Sequence, residues 1–188
     1  MAELLVIAGP NGSGKSSLTK GLRIVGLYVN ADEIKAVSGA SDLAAAQEAA
    51  KLREALLAAR ADFTFETVLS TDRNLDLLRR AREAGYAIAA VFVLTLSAEL
   101  NRLRVRSRVL GGGHDVPAEK IRSRYAKSLA NLPLLNAVSD SLEVYDNTGE
   151  APRLIYRRAE DQELIVADHR WSQAKISRLI GLEPFEAG

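Results

Sequence analysis

The chain has 188 residues, 47% of them apolar and 26% charged, which suits one compact globular domain and is too apolar for a disordered chain. Lys and Arg number 25 against 24 Asp and Glu, so no global charge draws the chain to nucleic acid or to an anionic membrane. Cysteine is absent and only two histidines occur, which excludes disulfides, thiolate nucleophiles and zinc or iron–sulfur sites built on thiolates. The N-terminus lacks the basic and apolar regions of a signal peptide, and the longest apolar stretch, Ala87 to Leu96, is too short for a membrane span. A soluble, cytoplasmic protein is expected.

Leu4 to Ala8 is a continuous apolar run ending at Gly9, the pattern of a strand buried on both faces of a parallel sheet. Lys15 to Val25 is expected to be helical, with a short strand at Leu27 to Val29. Asp42 to Arg60 is rich in strong helix formers. Phe63 to Leu69 reads as a strand, Asn74 to Ala84 as a helix stopped by Gly85, and Ile88 to Leu94 as a buried strand. Ala98 to Leu110 and Pro117 to Leu132 read as helices on either side of Gly111-Gly112-Gly113. Leu142 to Tyr145 reads as a further strand. Leu154 to Arg158 and Glu163 to Ala167 flank a turn as a hairpin, and Trp171 to Ile180 reads as a terminal helix. Strands alternating with helices predict a three-layer α/β fold, a mostly parallel sheet covered on both faces, with a C-terminal hairpin and helix over 151–188. No linker or repeat divides residues 1–188.

Gly9-Pro10-Asn11-Gly12-Ser13-Gly14-Lys15-Ser16 fits the phosphate-loop pattern in full, between an apolar strand and a helix start that continues through Ser17. Glycines let the backbone curl so that several N–H groups point inward at phosphate oxygens. Lys15 is placed to reach the β- and γ-phosphates of ATP, and the Ser16 hydroxyl to ligate Mg²⁺. The loop alone does not choose among kinases, GTPases and motor ATPases.

Asp32 follows Lys15 by seventeen residues, just past the second strand, where ligands of parallel sheets bind. A carboxylate there can orient or deprotonate an acceptor hydroxyl. The competing reading makes Asn30 a helix cap and Asp32 and Glu33 complements to the helix dipole. Glu66 and Thr67 close the next strand, Glu66 on the face opposite Phe63 and Phe65. Glu66 can hold an acceptor or a metal-bound water, or be a solvated strand-end acid.

Arg102, Arg104, Arg106 and Arg108 share a helix whose Leu96, Leu100, Leu103 and Leu110 are expected to form one apolar stripe. Lys120, Arg122, Arg124 and Lys127 follow the glycines. Two basic helices joined by glycines predict a lid over about 104–128 that closes on phosphates. A solvated basic face is the alternative for many of these side chains. No Asn-Lys pair of a guanine-reading motif occurs, and Val91 to Leu94 runs into Thr95 rather than an acidic pair. Both absences favour a small kinase.

Together, Ala8 to Ser16, Asn30-Ala-Asp-Glu33, Phe65-Glu-Thr67, Arg104 to Pro117 and Tyr145-Asp-Asn147 resemble the zeta toxin family of P-loop kinases. The resemblance runs from about Glu3 to Asn147. It implies an ATP- and Mg²⁺-dependent phosphotransferase acting on a small molecule, in the best-known members the sugar of UDP-N-acetylglucosamine, and held off by an antitoxin protein. By position it implies Lys15, Asp32, Arg108 and Arg124 as catalytic residues, with Asp32, Glu66, Thr67 and Arg104 on the substrate side. It also implies Gly9 through Ser17 on the nucleotide, Asn147 in an adenine-contacting loop, and Ser16 at the metal. Larger members carry E-G-T-x-R where this chain has Glu66-Thr67-Val68-Leu69-Ser70, so the acceptor stays open. A polynucleotide 5′-hydroxyl kinase and a non-catalytic ATP-binding regulator are the alternatives.

Overall fold

A computed structural model describes residues 1–111, 115–160 and 162–182. Seven strands form one sheet: β1 (Glu3–Ala8), β2 (Leu27–Val29), β3 (Phe63–Thr67), β4 (Ala87–Leu94), β5 (Ser141–Asp146), β6 (Arg153–Ala159) and β7 (Gln162–Ile165). Their order is β2-β3-β1-β4-β5-β6-β7. The first five are parallel, and β6 and β7 add on antiparallel. The mostly parallel, helix-covered α/β sheet and its C-terminal hairpin and helix are as expected.

The helices are α1 (Lys15–Thr19), α2 (Ala31–Ser38), α3 (Asp42–Ala58), α4 (Asp72–Glu83), α5 (Ala98–Leu110), α6 (Ala118–Ala130), α7 (Leu132–Val138) and α8 (Gln173–Ile180). Helices α3, α4, α7 and α8 pack one face of the sheet, where Phe63, Phe65, Phe92, Leu75, Leu78, Leu135 and Ile176 form the main core. Phe63 stacks on Phe65 at 6.1 Å and meets Tyr86 edge-on at 6.0 Å. On the other face Leu5, Ile7, Val91 and Val93 are covered by Leu18, Leu22 and Val25.

Several expected boundaries shift, each for a local reason. Helix α1 stops at Thr19 rather than Val25, because Gly21 and Leu22 turn back onto the carbonyls of Leu18 and Thr19. The loop then carries Leu22 and Val25 down onto the second core. Strand β3 ends at Thr67 rather than Leu69, since Leu69 adopts a left-handed φ of 55°. Helix α2 joins the expected elements, capped by Asn30, whose side chain accepts the Asp32 N–H at 2.9 Å. The expected helix from Pro117 to Leu132 breaks at Asn131, and α7 restarts there with Pro133 in its first turn.

The expected apolar stripe of α5 is also corrected. Leu96, Leu103 and Leu110 are exposed at 38%, 49% and 84%, whereas Asn101 and Val105 are buried. Helix α5 rests on the phosphate loop and on α6, forming a small separate core of Val105, Val116 and Ile121, so its inward face is narrower and partly polar.

The chain places β1 between β3 and β4, so the connection leaving β1 runs to the β2 side while the one leaving β3 runs the opposite way to β4. That reversal opens a crevice where ligands of such sheets bind. The parallel strands deliver Gly9, Asn30, Glu66, Thr95 and Asn147 to this one edge.

Candidate active site

A cleft of about 1020 Å³ lies along that edge, lined by the phosphate loop, Asp32, the end of β3, α3, α4, α5 and α6. Its floor is the loop between β1 and α1. Gly9 has φ 142°, and a Cβ there would run into the carbonyl oxygen of Val93. Gly14 has φ 94°, and a Cβ there would run into the Asn147 amide. Backbone can approach this closely only where side chains are missing. The glycines therefore serve the packing of the loop against β4 and β5 as well as its curl.

Lys15 lies across this loop, its Nζ donating to the carbonyls of Gly9 at 2.7 Å and Pro10 at 3.2 Å. Removal from water lowers the pKa of its ammonium from the ordinary lysine value. Glu66 and Asp32 pull that pKa back up, and Arg108 lowers it further. Residues drawn from three separate segments thus act on one charge. Ser16 and Ser17 stand exposed at the start of α1 and line the cleft. Ser13 is fully buried and donates its backbone N–H to Pro10 O at 3.2 Å.

Asp32 is exposed in the first turn of α2 and faces the cleft. Its backbone N–H is capped by Asn30, so the capping role and a cleft-lining carboxylate coexist in one turn. Glu66 is half-buried, its Oε1 accepting from Thr19 at 2.8 Å and from the Tyr28 hydroxyl at 2.7 Å. Tyr28 in turn accepts from Asn30 Nδ2 at 3.1 Å. Burial first, then the bond to Glu66, pushes the Tyr28 phenol above its ordinary pKa, so it stays a neutral donor. The Thr67 hydroxyl accepts from Leu69 N at 2.9 Å and Asn74 Nδ2 at 2.6 Å, which holds the turn into α4.

The arginines of α5 and α6 divide by face. Arg104, Arg108 and Arg124 line the cleft, with Lys120 beside them. Arg104 donates to the Thr148 carbonyl at 3.3 Å, and Arg124 reaches Asn11 Oδ1 of the phosphate loop at 3.3 Å. Arg102 turns away onto Glu99, and Arg122 onto Glu119. Tyr125 anchors α6 by donating to Thr95 O at 2.6 Å. The glycine joint expected between these helices falls at Gly112, Gly113 and His114, outside the described residues; Gly111 caps α5 with an ordinary negative φ.

Asn147, expected near an adenine, is buried, and its Nδ2 donates to the Ser13 carbonyl at 2.8 Å. It ties the end of β5 to the phosphate loop. Two cleft residues drew no notice in the sequence, Arg53 of α3 and Arg73 of α4. Both sit in stretches that look like solvated helix. Only the spacing of Ala45, Ala49 and Arg53, four apart on one helical face, hints that Arg53 points inward.

The described residues contain no group of three or more His, Asp or Glu that could hold a metal alone. The donors present fit a magnesium carried in on phosphates, met by the Ser16 hydroxyl. No described helix is long and apolar enough to cross a membrane.

No family model matches the chain. A curated protein of Haemophilus influenzae, named only as uncharacterized, is 26% identical over 123 residues, 62% of this chain and 88% of that one. A chain of the AvrRxo1-ORF1:-ORF2 complex with ATP matches 96% of this chain at a TM-score of 0.68 and 15% identity. This chain spans 63% of that chain's length. The PezAT chromosomal toxin-antitoxin system of Streptococcus pneumoniae matches 97% of this chain and 83% of its own, at a TM-score of 0.61 and 15% identity. The chain has the fold of the zeta-toxin-like P-loop kinases.

Proposed function

We propose that residues 1–188 form an ATP- and Mg²⁺-dependent phosphotransferase that moves the γ-phosphate of ATP to an alcohol hydroxyl of a small molecule in the cytoplasm. One observation carries this reading: Lys15, Asp32, Glu66 and Arg108 all bear on one cleft at the reversal point of the sheet. Lys15 and the loop amides hold the phosphates. Asp32 takes the acceptor's hydroxyl proton as the oxygen attacks γ-phosphorus, and the bond to the β–γ bridging oxygen breaks to release ADP. Arg108 and Arg124 lie where charge spreads over the transferring group. Mg²⁺ held at Ser16 would neutralise charge on the β- and γ-oxygens.

The likeness to the PezAT toxin-antitoxin system supports an antitoxin as a candidate protein partner, and the sequence resemblance to the zeta toxins offers a UDP-sugar as a candidate acceptor. The test is incubation with γ-labelled ATP and a panel of UDP-sugars, free sugars and RNA 5′-hydroxyl ends. Label on a sugar hydroxyl supports this reading. Label on RNA ends makes the enzyme a polynucleotide kinase, and label left on ATP with every acceptor makes it a nucleotide-binding regulator.

A further inference from the structure

Arg53 is the most unusual charge in the molecule. It is only 9% exposed, yet no hydrogen bond or ion pair engages its guanidinium among the described residues. A guanidinium offers five N–H donors, and a buried charge without partners is costly. One face is accounted for: it lies over the Phe65 ring at 5.2 Å. Its neighbour Glu54 is committed elsewhere, forked onto Arg80 at 2.6 and 2.8 Å. The next influence on Arg53 is another cation, Arg73, which with burial depresses its pKa. Glu54 feels both cations and offsets part of their charge, but its two oxygens are bonded to Arg80, so neither guanidinium has a hydrogen-bonded anion among the described residues and a bound one would supply it.

Their location says which part of a ligand they would meet. Phe65 immediately precedes Glu66, so Arg53 sits at the carboxyl end of β3, on the face away from Tyr28 and the phosphate loop's helix. Ala45 and Ala49 line the cleft one and two turns before it on the same side of α3, and their small side chains leave it room. Asn74 and Ser70 complete this wall. The acidic neighbour on this side, Asp42, is paired with Lys35 at 2.6 Å.

We propose that Arg53 and Arg73 form an oxyanion site that holds a carboxylate or phosphate of the acceptor while its hydroxyl faces Asp32. This rests on the phosphotransfer reading for the word acceptor, but the anion site can be tested without it. Paired guanidinium forks suit planar or tetrahedral oxyanions, and the aromatic face behind Arg53 fixes its orientation.

The first test is calorimetric titration of inorganic phosphate and of malonate into Lys15→Ala protein, whose phosphate loop is disabled. Both anions should bind, and Arg53→Met in that background should weaken them by about 30-fold or more, the cost of losing a buried charge partner. Arg73→Ala, at an exposed position where folding is safe, should weaken them by about 3- to 10-fold. Affinities unchanged within about twofold in both variants, or no binding at all in Lys15→Ala protein, would overturn the site. The second test compares glycerol, glycerate and glycerol 3-phosphate as acceptors of labelled phosphate. Preference for an anionic member, lost in Arg53→Met, supports the site and tells carboxylate from phosphate. Equal labelling of charged and uncharged members, unaffected by Arg53→Met, overturns it while phosphotransfer stands. Arg53-dependent anion binding with no labelled alcohol sinks phosphotransfer and leaves the site.

Discussion

The two halves of the cleft are built by different means. On the nucleotide side, a single run from Gly9 to Ser16 supplies the donors, packed against one main-chain oxygen and one buried side chain: Val93 O against Gly9, and the Asn147 side-chain amide against Gly14 and on Ser13 O. On the acceptor side, Asp32, Glu66, Arg53 and Arg73 come from four elements, α2, β3, α3 and α4. A site made of curled backbone tolerates almost no substitution, because nothing there can move aside. A site made of side chains from separate elements can be rebuilt residue by residue, which lets one fold serve many acceptors.

The sharpest way to break this contrast is Gly9→Ala. The added Cβ meets a main-chain oxygen at a left-handed φ, so we expect a stability loss of about 3 kcal/mol in urea unfolding and no measurable ATP binding. A stable, ATP-binding variant would show that the wall yields. Asp32→Asn, on the other half, should fold and bind ATP but turn over about 10²- to 10⁴-fold more slowly. Normal turnover with a lowered Tm would reduce Asp32 to a partner of the α2 dipole. Arg108→Ala and Arg124→Ala should each cut kcat by about 10²- to 10³-fold with little change in ATP affinity. Arg102→Ala, which loses only its Glu99 pair, should stay within about twofold. Equal losses at all three would mean a diffuse basic surface rather than one cleft-facing side.

Tyr28→Phe should leave the cleft intact and cost about 1–2 kcal/mol of stability, from the lost hydrogen bonds to Glu66 and from Asn30. Its pH signature has a definite sign. The folded phenol titrates above the ordinary value near 10, so its contribution is complete below about pH 10 and fades as alkali ionises it. Tyr28→Phe should therefore lose less stability than wild type on going above about pH 10, as followed by urea midpoints.

The same division explains what could be read from sequence. The phosphate loop is one contiguous motif, and β1 and β4 are apolar runs, so both were legible. Helix α2 is visible in the sequence only as a competing reading of Asn30, Asp32 and Glu33, because eight residues between a strand and a longer helix carry little periodicity. The leucines of α5 misled because the helix rests on α6 and the loop rather than on the sheet, so Asn101 faces inward and Leu110 faces solvent. Arg53 could not be told from its solvated neighbours, since only tertiary placement over Phe65 distinguishes it. Asn147 was singled out, but its grip on Ser13 O joins residues 134 positions apart, beyond any local pattern.

The sheet also ends in its two shortest strands, three residues in β2 and four in β7. An edge exposes unpaired N–H and C=O groups on which another chain can add, and the hazard grows with edge length. Here neither edge offers a run long enough to template a stable cross-chain pairing, and β7 carries Gln162 and Glu163 on its exposed stretch. The long apolar strands most prone to aggregation, β1 and β4, are shielded on both sides by neighbours. The apolar centre of the sheet is thus kept from intermolecular strand addition by how little sheet there is at its margins.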